Sequence, residues 1–77
     1  MKVILESTTK IVELATSDGV VPARIWEGTT DSGIPVHAYI TRVAVDRNED
    51  TGPFTRELQE HRAPTAPIAA IPLRLVL

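Results

Sequence analysis

Apolar and polar positions alternate through the first half of the chain. In Lys10–Thr16 and again in Val20–Glu27 alternate residues are apolar, the period of a half-buried strand. Between them lies Ser17-Asp18-Gly19, and Asp and Gly tolerate the positive φ of a tight hairpin. Folding the chain about Asp18-Gly19 sets Val12 opposite Ile25 and Leu14 opposite Ala23 on one face. The other face then pairs Ile11 with Trp26 and Glu13 with Arg24. Apolar pairs and an opposite-charge pair share one register, and such cross-strand pairs are what stabilise a sheet.

A second turn is expected over Gly28-Thr29-Thr30-Asp31-Ser32-Gly33, followed by a strand from Ile34 to Val45. Pairing Gly28 with Gly33 brings Trp26 opposite Pro35, Arg24 opposite His37 and Pro22 opposite Tyr39. Ile34 and Val36 then join Ile25 on the core face. After Ile40 the apolar parity changes, so a bulge near Thr41-Arg42 is expected to return Val43 and Val45 to the core. Ahead of the hairpin, Lys2–Glu6 reads as a short strand, and Ser7-Thr8-Thr9 as a polar break or bulge.

From Asp46 the pattern becomes polar and then helical. Pro53 suits the first position of a helix, Thr51 or Gly52 its cap, and Glu49 and Asp50 the positive end of its dipole. Phe54 and Leu58 form its apolar stripe, and Pro64 ends it by Ala63. A helix of about ten residues with two large apolar anchors is not stable alone, so it is expected on the sheet or on a neighbouring chain. Ala63–Ala70 reads as extended connection. Ile71–Leu77 alternates again, with Pro72 confining it to an edge; it either pairs with Lys2–Glu6 or crosses to another copy. The expected fold is α+β: an antiparallel β-meander of about four strands, one short helix and a C-terminal edge strand, in a single domain over residues 1–77.

Composition sharpens this reading. A chain of 77 residues buries only about 60–65% of its unfolded surface, and it has one Phe, one Tyr and one Trp for a core. The absence of Cys excludes disulfides, thiolate metal sites and cysteine nucleophiles. Self-association into a homo-oligomer is the remaining source of stability for so small a fold. No apolar run approaches the roughly 18 residues of a membrane span, and Met1–Glu6 reads as a strand, not a signal peptide. A cytoplasmic location, in a host cell if the chain is phage-encoded, and no membrane partner are expected. The net charge of −2, with scattered basic residues, argues against duplex nucleic acid as a partner.

The candidate site is the outward face of the meander, where Arg24, Trp26, His37 and Tyr39 are expected together beside Glu13. Arg offers a planar donor fork to an anion, and Trp and Tyr offer stacking surfaces. That combination fits a small anionic, nucleotide-type ligand, and equally a protein contact, where Trp, Tyr and Arg are enriched. A second constellation, Asp46, Asn48, Asp50 and Glu57, has the spacing of a calcium loop. Thr51 replaces the glycine of that loop and Pro53 follows it, so we read the stretch as an acidic helix entry and assign no metal. His37 and His61 are the only histidines, and Glu57 and His61 lie four apart on the expected helix. No nucleophile elbow, metalloprotease helix or phosphate loop is present. A non-enzymatic protein without a cofactor is expected.

Val21-Pro22-Ala23-Arg24-Ile25-Trp26-Glu27-Gly28, Ser32-Gly33-Ile34-Pro35-Val36-His37 and Glu57-Leu58-Gln59-Glu60-His61-Arg62-Ala63-Pro64 resemble small proteins encoded by bacteriophages and prophages of GC-rich hosts. The resemblance brings no activity with it. It implies an oligomeric accessory protein, of the kind that blocks host defences by binding a host protein or by sequestering a nucleotide signal. Two expectations follow: an oligomer that binds a small anionic ligand, or an inhibitor or assembly factor acting through an edge strand or the short helix.

Overall fold

The computed structural model describes residues 1–65, and they form a three-stranded antiparallel sheet followed by one short helix. Strand β1 runs Val3–Thr16, β2 Gly19–Thr30 and β3 Pro35–Ile40, with β2 in the middle. The expected fourth strand, Ile71–Leu77, lies outside the described residues. Lys2–Glu6 and Lys10–Thr16, expected as separate strands, are two parts of the continuous β1.

The first hairpin reverses through Ser17 and Asp18, pairing Thr16 with Gly19. Asp18 keeps a negative φ and Gly19 takes φ +118. The Thr16 hydroxyl holds the reversal, donating to the Gly19 carbonyl at 2.7 Å and accepting from the Asp18 N–H at 3.2 Å. The register therefore sits two residues from the expected one: Val12 faces Ala23, Leu14 faces Val21, and Glu13 faces Pro22 instead of Arg24. A shift of two residues preserves parity, so each side chain stays on its expected face. Ala23 and Ile25 on that core face are 2% and 0% exposed.

The second hairpin differs in kind. Thr30 donates its N–H to the Ile34 carbonyl at 3.0 Å, Gly33 N–H returns to Thr30 at 3.0 Å, and Gly33 has φ +87. This is a three-residue loop, Asp31-Ser32-Gly33, with glycine in the left-handed position that such loops require. The Thr30 hydroxyl secures it by accepting from the Ile34 N–H at 3.1 Å and pairing with Ser32 at 3.2 Å. The resulting register sets Trp26 opposite Ala38, Ile25 opposite Tyr39 and Glu27 opposite His37. It differs from the expected pairing by an odd number of residues, and an odd shift turns a strand over. His37 and Tyr39 thus lie on the face of Ile25. Val36, expected in the core, lies on the face of Trp26.

The expected bulge at Thr41-Arg42 does not form; β3 ends at Ile40, and Val43 is exposed. The irregularity falls in β1, where Ser7 pairs with Trp26 but Ile11 with Arg24, leaving Thr8, Thr9 and Lys10 against Ile25 alone. Thr8 is wholly buried there, and its hydroxyl donates to the Ile25 carbonyl at 2.6 Å, closing the gap the bulge opens in the ladder.

Helix α1 spans Thr51–Glu57, capped by Asp50, whose carboxylate accepts the Gly52 N–H at 2.9 Å. Capping at Asp50, ahead of the expected Thr51 or Gly52, makes Pro53 the third helical residue and not the first. The helix also ends earlier, at Leu58, because the following residues leave it for β1. Ser7 donates its hydroxyl to the Glu60 carbonyl at 2.8 Å, the Arg62 N–H reaches Ser7 O at 3.3 Å, and Thr9 N–H donates to Arg62 O at 2.9 Å. No helix among the described residues is long and apolar enough to cross a membrane.

Candidate functional site

The four residues expected to share one face are divided by the sheet. Arg24 and Trp26 are on one side of β2, and their opposites on β3 are Ile40 and Ala38. His37 and Tyr39 are on the other side, paired with Glu27 and Ile25. A single ligand cannot rest on all four, because the thickness of the sheet lies between the pairs.

On the face of Ile25 the notable residue is Glu27. It is 5% exposed and lies on the same parity as the buried Ala23 and Ile25. A buried carboxylate needs partners, and this one has four hydrogen bonds. Arg62 Nη1 donates to Oε1 at 2.6 Å and the Thr65 N–H at 3.1 Å; His37 Nε2 meets Oε2 at 3.2 Å and the Thr65 hydroxyl at 3.2 Å. Burial by itself would push this carboxyl up, but the hydrogen bonds from Arg62, Thr65 and His37 outweigh it and hold the pKa at about 2. Among the described residues no buried side-chain polar atom lacks a partner. Glu27 is therefore a fastening point, with its oxygens occupied by the chain itself. His37 is part of that fastening.

On the face of Trp26 the arrangement is open. Helix α1 and the residues before it lie over Trp26, so that Ser7, Trp26, Val43, Phe54, Glu57 and Leu58 line a half-open hollow of about 220 Å³. Beside it runs a shallow groove of about 260 Å³, with Ile11, Arg24, Trp26, Ile40, Arg42 and Leu58 among its lining. Ile11, Val43 and Leu58 on this side are 48%, 43% and 42% exposed. Arg24 is held by one nitrogen, Nη1, which donates to the Thr8 carbonyl at 2.8 Å. That bond fixes the guanidinium and leaves other donors of its fork to meet an occupant. His61 also lines the groove, and its Nδ1 lies 3.0 Å from the Ser7 hydroxyl. The expected pairing of Glu57 with His61 along a helix is thus replaced by a bond to β1.

The calcium constellation does not converge. Asp46 accepts the Asn48 N–H at 2.9 Å and Asp50 caps the helix, each carboxylate serving its own turn. Among the described residues no cluster of acidic and histidine side chains is arranged to hold a metal ion.

Sequence reasoning missed Arg42, Leu58 and Ile11 as groove residues and Glu27 and Arg62 as a pair. One signal was available. Glu27 continues the core parity of Ala23 and Ile25, and a charge in a core position demands a partner from elsewhere in the chain. Together, the sheet and the groove beneath the helix define a small α+β domain with one open, apolar and cationic face. No family model, curated protein or solved structure matches the chain.

Proposed function

We propose that this protein is a non-enzymatic binding module that engages another protein through the groove on the Trp26 face. The observation that carries the reading is the meeting of Trp26 and Arg24, two residue types that anchor protein interfaces, with exposed apolar side chains at Ile11, Val43 and Leu58. Large apolar groups left in water around a shallow groove suit a protein surface better than a small solute, which needs enclosure. In the setting that the phage resemblance suggests, the partner is a host protein and the role that of an accessory or counter-defence factor.

A second reading places a small anionic ligand in the same groove. It is favoured by Arg42, which lines the groove with Arg24 and Trp26. The chain's single Trp separates the two, since Trp26 fluorescence reports any occupant. Titration with mononucleotides and cyclic nucleotides is expected to leave the emission unchanged. A benzophenone side chain placed at Leu58 is expected to crosslink a discrete host protein on irradiation, whereas one at Thr55 does not. A saturable nucleotide response, abolished by Arg24→Ala, overturns the protein-partner reading in favour of the ligand.

A further inference from the structure

The outer edge of β3 has a bonding pattern complementary to itself. The Thr30 N–H to Ile34 O bond fixes which residues of β3 turn their backbone groups toward β2. By the alternation of an antiparallel ladder these are Val36, Ala38 and Ile40, so Pro35, His37 and Tyr39 turn theirs outward. Pro35, which has no N–H, thus stands where the missing donor removes nothing from the β2–β3 ladder. Among the described residues no backbone hydrogen bond outside the sheet reaches His37 or Tyr39.

Edges of this kind are usually blunted by charge, and the two edges of this sheet differ. β1 carries Glu6, Lys10 and Glu13, and part of its outer edge is bonded to Arg62. β3 reads Pro-Val-His-Ala-Tyr-Ile, without an acidic residue, Lys or Arg.

We propose that two copies of this chain join through β3, antiparallel about a twofold axis at Ala38, to give one continuous sheet. In this register His37 exchanges both backbone bonds with the partner's Tyr39, and Tyr39 does so with the partner's His37. All the outward N–H groups of the strand are then used. The alternative register, centred on His37, opposes two imidazoles and leaves the Tyr39 carbonyl unpaired. Ala38 meets the partner's Ala38 as a non-hydrogen-bonded pair, where Cα atoms approach to about 4.5 Å, and its methyl group permits that approach. The twofold axis is perpendicular to the sheet, so both Trp26 grooves open on the same side. The proposal does not depend on what those grooves bind.

Because the chain lacks Cys, Ala38→Cys introduces a single thiol at the axis, within the Cα separation a disulfide accepts. Wild-type protein is expected to sediment at twice the 8.4 kDa chain mass. Ala38→Cys is expected to form a disulfide-linked dimer on mild oxidation, and Asp18→Cys, at the distant hairpin tip, to remain unlinked. Ala38→Glu sets two carboxylates against each other and is expected to sediment as a monomer, with far-ultraviolet circular dichroism and a cooperative urea transition reporting that it is folded. A wild-type chain that sediments as a monomer overturns the proposal. So does a wild-type dimer in which Ala38→Cys links no faster than Asp18→Cys.

Discussion

Glu6 and Glu27 stand directly opposite each other on β1 and β2, and the Arg62 guanidinium reaches both. Its Nη1 is 2.6 Å from Glu27 and its Nε 3.6 Å from Glu6. Like charges facing across a sheet destabilise it, so the pair is tolerated because a cation from a distant part of the chain lies between. The same contacts keep the Arg62 pKa raised, the Glu27 hydrogen bond foremost.

Glu27→Gln keeps the shape of the side chain and loses its charge-assisted bonds to Arg62 and Thr65. Hydrogen bonds to charged groups contribute about 1.5–3 kcal/mol, and a destabilisation of that size is expected in urea unfolding. Arg62→Met is expected to destabilise as well. The double variant is expected to lose less than the two single losses combined, the mark of a direct interaction.

The same carboxylate makes stability depend on acid. Glu27 has a folded pKa of about 2 against an ordinary value of 4.5. Between those values the unfolded chain binds more protons than the folded one. The contribution of Glu27 is therefore complete above pH 4.5 and is lost as pH falls toward about 2. Melting temperature measured across this range should fall less steeply in Glu27→Gln than in the wild type.

Gly28→Ala tests how closely β1 and β2 approach. A Cβ at Gly28 would overlap the Ile4 carbonyl group of the neighbouring backbone. Backbone, not a flexible side chain, would have to move, so the loss is expected at or above about 3 kcal/mol, the upper part of the overpacking range. Gly52→Ala meets only the Asp50 carboxylate at 3.3 Å and is expected to be tolerated. Equal urea midpoints for the two variants would contradict the close approach.

Thr8→Val removes a hydroxyl while keeping its volume. The Ile25 carbonyl then loses a 2.6 Å bond in a buried setting, and an unsatisfied buried acceptor costs about 1–3 kcal/mol. Amide exchange at Lys10, whose N–H donates to the same hydroxyl at 3.3 Å, should accelerate more than exchange at Leu14.

Asp50→Ala removes the helix cap, worth about 1 kcal/mol. In a seven-residue helix that loss bears on the whole element. Because Leu58 at its end lines the groove beside Trp26, Trp26 emission is expected to shift to the red in this variant at temperatures where the sheet persists.

Which parts of this structure were legible follows from parity. The two faces of the β1–β2 hairpin were readable because an error of two residues leaves Val12, Leu14, Ala23 and Ile25 on the same side. The face of β3 was not, because it depends on whether the loop between Gly28 and Ile34 holds an odd or even number of residues. Asp31-Ser32-Gly33 answers that question through the φ of Gly33 and the Thr30 hydroxyl, neither of which alternation records. The candidate site inherited the error: Arg24 and Trp26 stayed together, while His37 and Tyr39 crossed the sheet. The bulge was readable in β1, where Ser7-Thr8-Thr9 interrupts the apolar pattern. It was misplaced in β3, where the change of parity at Val43 marks the end of the strand.

The clasp on Glu27 also bears on the order of folding. Both hairpins close through neighbouring residues, whereas the Arg62–Glu27 bond spans 35 residues and the Ser7–Glu60 bond 53. Short loops close at a smaller entropy cost than long ones, so the sheet is expected to assemble first and the segment around Arg62 to dock onto it afterwards. A contact made after the transition state governs how fast a protein comes apart, and hardly at all how fast it forms. Removing the Arg62 contacts to Glu27 is thus expected to speed unfolding more than it slows folding.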